Sequence, residues 1–173
     1  MHGSRVASAT AQGDSVRLVL NEVDAPARTL ATFPFKGQRP VINSLTWSRG
    51  GAEIAVSISS EGSPAGLSVF AIPSDRSKPV TRRDLHVSHS YCCDGIQWLP
   101  DDNAVLAIAG GSGDDAALVL FPLRNGEPPR VIAADVTSWE SILSPDGKHA
   151  VYQRTRTATS TIWSASFKGL VTP

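Results

Sequence analysis

The chain of 173 residues sets 16 basic side chains against 16 acidic ones, so it carries no net field to attract nucleic acid or an anionic membrane. At 41% apolar it can bury an ordinary core, but no apolar run approaches the roughly 18 residues that span a bilayer, and Met1 to Val6 lacks the apolar segment of a signal peptide. Its two cysteines, Cys92 and Cys93, are adjacent; adjacent residues rarely meet disulfide geometry, so no disulfide framework is expected.

Taken in order, Arg5 to Gln12, Ser15 to Val23 and Arg28 to Phe33 read as strands, separated by turns at Gly13-Asp14 and Asp24-Ala25-Pro26. From Trp47 a pattern then recurs. Trp47, Trp98 and Leu143 each precede a turn (Ser48-Arg49-Gly50-Gly51, Leu99-Pro100-Asp101-Asp102, Ser144-Pro145-Asp146-Gly147), and Ile54, Val105 and Ala150 follow their anchors by seven residues. The anchors are 51 and 45 residues apart, a period that points to a radially repeated β array.

Each turn leads into an apolar, β-branched run: Glu53 to Ile58, Ala104 to Ala109, and His149 to Tyr152. Third strands at Leu67–Ile72, Leu118–Leu123 and Ile162–Phe167 end 24 or 25 residues after their anchors. Short fourth strands are expected at Pro79-Val80-Thr81, Arg130-Val131-Ile132 and Leu170-Val171-Thr172, with nearby prolines suiting an outer edge that need not donate every backbone hydrogen bond. The prediction is an all-β chain of about four antiparallel four-stranded blades, near 4–40, 41–89, 90–136 and 137–173, the first lacking its innermost strand. Pro and Gly interrupt every candidate helix.

The run Leu143-Ser144-Pro145-Asp146-Gly147-Lys148-His149-Ala150-Val151-Tyr152, followed by Ile162-Trp163-Ser164-Ala165, resembles the TolB-type, WD-like β-propeller repeat. The first two copies keep the Trp anchor and follow the pattern in outline. The resemblance implies a propeller fold, non-catalytic binding or scaffold roles, and parents that are often periplasmic. The motif itself shapes a hairpin: Pro pre-sets a backbone angle, Asp caps, and Gly takes the left-handed position. Closed propellers carry about four to eight blades, so the chain is read as a segment of a larger propeller or as half of an assembly completed by a second copy.

Several constellations invite chemistry. His86, His89, Cys92 and Cys93 are a zinc-compatible ligand set, but structural zinc sites draw pairs from separated elements; the segment reads as a connecting loop, and no metal is expected. Gly110-Gly111-Ser112-Gly113-Asp114-Asp115 lacks the Lys and helix of a phosphate loop and the second Gly of a nucleophile elbow, which leaves a hairpin tip. Asp101-Asp102 and Asp114-Asp115 lack the spacing of a calcium cradle and read as turn caps. Tyr152, Arg154 and Arg156 share a strand face, where the guanidiniums would clamp an anion or guard the edge. Trp47 and Trp98 read as packing between blades, whereas Trp139 falls in the connection entering the last blade.

No nucleophile, base and orienter assemble from this chain, so it is expected not to be an enzyme and to need no cofactor. The expected role is a non-catalytic binding or scaffold module that docks a protein or small ligand through one loop face. Connections between second and third strands, and those between blades, should emerge together there, gathering His86, His89, Tyr91, Asp114, Asp115, Trp139 and Arg156. The turn face, with Asp101, Asp146 and Lys148, should tolerate substitution. Expected partners are a protein, the remaining blades, or a second copy. The alternative is the propeller accessory domain of a prolyl-oligopeptidase-type serine peptidase or of a bacterial receptor kinase.

Overall fold

In the computed structural model, which describes residues 5–34, 40–60, 63–85, 93–110, 116–124, 126–156 and 159–166, the β-branched runs pair into successive antiparallel meanders. The first sheet is β1 (Arg5–Gln12), β2 (Ser15–Glu22) and β3 (Ala25–Pro34). The second is β4 (Val41–Trp47), β5 (Glu53–Ser60), β6 (Ser63–Ala71) and β7 (Thr81–Leu85). The third holds β8 (Cys93–Trp98), β9 (Ala104–Ala109), β10 (Ala117–Pro122) and β11 (Arg130–Ala133). The fourth holds β12 (Val136–Leu143), β13 (His149–Arg156) and β14 (Thr159–Ser166). The all-β class, the four sheets and a first sheet with three strands among the described residues follow the expectation from sequence.

Two placements differ. The second sheet's fourth strand is Thr81–Leu85, later than expected at Pro79-Val80-Thr81, because Pro79 has no N–H for the ladder and pairing begins at Thr81 opposite Ala71. Trp139 lies inside β12 and not in a connection. Only Ala134 and Asp135 separate β11 from β12, Asp135 turning the chain at φ 57°, and the Val136 N–H donates to the Ala116 carbonyl at 2.9 Å, so the last sheet starts sooner. The strand expected at Leu170-Val171-Thr172 lies outside the described residues.

The core is three seams between consecutive sheets. Val16, Leu18 and Leu20 meet Ile54, Val56 and Ile58 at the first. Ala55, Leu67 and Val69 meet Ile96, Trp98 and Val119 at the second. Leu106, Ile108 and Leu118 meet Val136, Ala150 and Tyr152 at the third. Burial along a strand therefore reports its neighbours. All six residues of β9 are buried because both faces are covered, whereas β1 alternates half-buried with exposed.

Candidate docking face and the turn face opposite it

The three anchor turns share one geometry. The residue after the anchor donates its N–H across the turn (Ser48 to Glu53 O, Leu99 to Ala104 O, Ser144 to His149 O, at 2.8–3.0 Å). The fourth residue donates back (Gly51 to Ser48 O, Asp102 to Leu99 O, Gly147 to Ser144 O, at 2.8–3.0 Å). That fourth residue is left-handed each time, with φ 68°, 55° and 69°, which suits Gly and is tolerated by Asp. Ile72 and Leu123 then close the third strands by donating to Ala52 O and Asn103 O, both at 2.8 Å.

Side chains of these turns join one blade to the next. The Asp102 carboxylate accepts the Arg49 N–H at 2.7 Å and the Gly50 N–H at 2.8 Å. It thus caps the neighbouring turn, while Asp101 caps its own by accepting from the Asn103 backbone and side chain. A Cβ at Gly147 would overlap the Pro100 ring, so glycine lets the last two turns stack. Beneath them, Trp98 Nε1 donates to Thr46 O at 3.2 Å. Gln97 spans to β12, donating from Nε2 to Ser141 Oγ at 3.0 Å and accepting the Leu143 N–H at 2.8 Å. At the outer strands Arg28 donates to Lys78 O and Arg83 to Leu123 O, each reaching the following blade.

Two recesses open on this face. One of about 180 Å³ is lined by Arg5, Trp47, Ser48, Arg49 and Gly51, with the Arg5 guanidinium 5.5 Å from the Trp47 ring centre. The other, about 420 Å³, runs from Thr46 and Trp47 past Gln97, Trp98 and Pro100 to Leu143 and Ser144. None of these residues was a docking candidate from sequence. The signal that would have found them is the shared fourth turn position, which sets the turns side by side.

The predicted docking residues fall differently. His86, His89, Tyr91, Asp114 and Asp115 lie outside the described residues, as do the side chains of Trp139 in β12 and Arg156 at the end of β13. The β9–β10 ladder, whose strands precede and follow Asp114 and Asp115, ends with Ala109 opposite Ala117, at the end away from the anchor turns. Of the anion-clamp set, Tyr152 is buried in the third seam. Arg154 is engaged, donating to Asp135 at 2.5 Å with its guanidinium 5.6 Å from the Trp163 ring centre. It belongs to the blade junction, so no pair of free guanidiniums stands there.

The carboxylates with shifted protonation are turn and strand groups. The Ser144 hydroxyl, and then the Lys148 N–H, hold Asp146 below the usual range. The Ser77 hydroxyl and N–H do the same for Asp75, whereas burial pushes Asp94 up.

This arrangement is that of a β-propeller segment, and its fold is similar to that of TolB structures. TolB from Acinetobacter baumannii superimposes with a TM-score of 0.65 at 10% identity, over 95% of this chain and 38% of its own. A protein of Agrobacterium tumefaciens reported as a TolB gives 0.55 at 20% identity, over 98% of this chain and 53% of its own. Prolyl oligopeptidase B from Galerina marginata, bound to a 35-residue substrate, gives 0.52 at 11% identity, over 97% of this chain and 30% of its own. The chain thus spans between about a third and a half of these proteins' lengths. No protein-family model and no curated sequence matches it. No helix of the described residues is long and apolar enough to cross a membrane.

Proposed function

We propose that the chain is a non-catalytic binding or scaffold module built as part of a larger propeller. The observation that carries this is the free face of the last sheet. Ile142, Val151 and Ile162 are 70%, 39% and 79% exposed. Val151 repeats the position of Ala55 and Leu106, and Ile162 that of Leu67 and Leu118, all four fully buried against the following blade. A face patterned for a neighbour supports further blades beyond this one. The anchor and turn residues are taken up by packing and capping, which leaves the opposite loop face, with His86, His89, Tyr91, Asp114, Asp115 and Arg156, to dock a protein or small ligand.

The test is a cross-linked partner from native extract followed by paired substitutions. Tyr91→Ala with Asp115→Ala is expected to weaken its binding, and Lys148→Ala to leave it unchanged; the reverse pattern would put the working face on the other side. A second reading is supported by the likeness to prolyl oligopeptidase B: an accessory propeller of a serine peptidase. Labelling of the longest natural product containing this sequence with a fluorophosphonate would favour that reading, and absence of labelling the scaffold.

A further inference from the structure

We propose that the Asp94-Gly95 peptide of β8 is a modification site, at which the folded chain rearranges its own backbone from an aspartyl to an isoaspartyl linkage. The reaction is fastest where the residue after Asp has no Cβ to shield its nitrogen, and the sequence holds two such dyads, Asp94-Gly95 and Asp146-Gly147. The glycine nitrogen attacks the Asp carboxyl carbon: the N–C bond forms, the C–OH bond breaks, and the amide proton leaves with the hydroxyl as water. Water then opens the cyclic imide at either carbonyl. One opening restores Asp; the other runs the chain through the side-chain carbon and frees the former main-chain carbonyl as a carboxylate. The water lost in the first step is regained in the second, so no other reactant is needed.

The fold treats the two dyads oppositely. At Asp146 both reacting groups are held: the carboxylate accepts the Ser144 hydroxyl at 2.5 Å and the Lys148 N–H at 3.0 Å, and the attacking nitrogen, Gly147 N, donates to Ser144 O at 2.8 Å. At Asp94, among the described residues, no hydrogen bond or ion pair engages the carboxyl. The ladder is also displaced beside it. Asp94 lies opposite Ile108 and Gln97 opposite Leu106, so Gly95 and Ile96 stand together against Ala107, a bulge that leaves the extra residue out of the regular pairing. Both glycines are left-handed, with φ 57° and 69°, so the difference lies in what holds each dyad and not in the glycine itself. Among the described residues β8 pairs with β9 alone, and rotation at the bulge therefore disturbs one ladder and not two. Burial, which pushes the Asp94 carboxyl up, adds to this by favouring the acid form that can give up water.

The product would be felt in the seam. It carries one more backbone carbon between Asp94 and Gly95, just before Gln97, which ties β8 to Ser141 and Leu143, and Trp98, which ties it to Thr46.

The experiment keeps the whole chain for weeks at physiological temperature and neutral pH, once folded and once in urea, and locates isoaspartate by peptide mapping with electron-transfer fragmentation. In urea the two dyads should isomerise at similar rates. In the folded chain Asp94 should isomerise tenfold or more faster than Asp146, whose hydrogen bonds must open first. Asp94→Glu, which would need a larger ring, should remove the product at that position. Deamidation at Asn125-Gly126 changes the mass of its peptide, as isomerisation of Asp does not, and is counted apart. Equal rates in the folded chain would mean that the reaction passes through global unfolding, and the same preference in urea would assign it to the flanking sequence; either result, or no isoaspartate at Asp94, would overturn the proposal.

Discussion

Trp47 and Trp98 hold the same place in successive repeats and meet different surroundings. Trp98 is 9% exposed, packed in the second seam and hydrogen-bonded to the sheet in front of it. Trp47 is half-buried, with an arginine over its ring and a recess beside it. The two residues do not differ; the sheets before them do, since β4 faces Trp98 whereas among the described residues the first sheet has three strands. In a repeat array the worth of a residue is thus set by the seam it enters.

The largest test of that contrast is truncation. Trp98→Ala should cost about 3–5 kcal/mol, as for a buried aromatic that leaves a cavity, and Trp47→Ala roughly half of that or less, because its site is already open. Equal shifts in thermal midpoint would break the comparison. A smaller contrast comes from two left-handed glycines. Gly147→Ala forces a Cβ onto Pro100, whereas Gly13 has no atom within 4 Å of that position. Gly13→Ala should cost about 1–2 kcal/mol for the backbone alone, and Gly147→Ala measurably more in a denaturant titration. Next come the adjacent aspartates. Asp102→Ala breaks the cap between two blades and should cost about 1–3 kcal/mol, whereas Asp101→Ala unties only its own turn; equal costs would mean the inter-blade cap adds nothing.

The contrast also marks how far the sequence could be read. The anchor spacing and the apolar second strands placed the sheets because those features are local and periodic, and the buried Ile54, Val105 and Ala150 sit where the seven-residue offset put them. What the linear pattern did not carry was contact between repeats. Asp102 reads as an ordinary turn cap, and only the side-by-side stacking of turns aims it at Arg49 and Gly50. Arg154 reads as half of an anion clamp, yet the short turn at Asp135 brings a carboxylate to it. Trp139 reads as a connection residue because the two-residue link before β12 has no composition signal.

The smallest expected effects separate an exposed turn from a seam by pH. Asp146 is held below its ordinary value by the Ser144 hydroxyl and the Lys148 N–H, so its ionised form favours folding. That contribution is present above the unfolded-state value and is lost as pH falls through the lower folded value. Asp94, in β8 opposite Ile108, is pushed up by burial, so its charge opposes folding at neutral pH, and the penalty fades as pH falls through the raised folded value toward the unfolded one. Asp146→Asn should therefore lower the urea midpoint at pH 7 and Asp94→Asn should raise it. Both differences from the parent should shrink by about pH 3, where carboxylates of ordinary value are mostly protonated. A midpoint that falls in both variants at pH 7 would mean that Asp94 is held by a partner in the seam and not merely desolvated there.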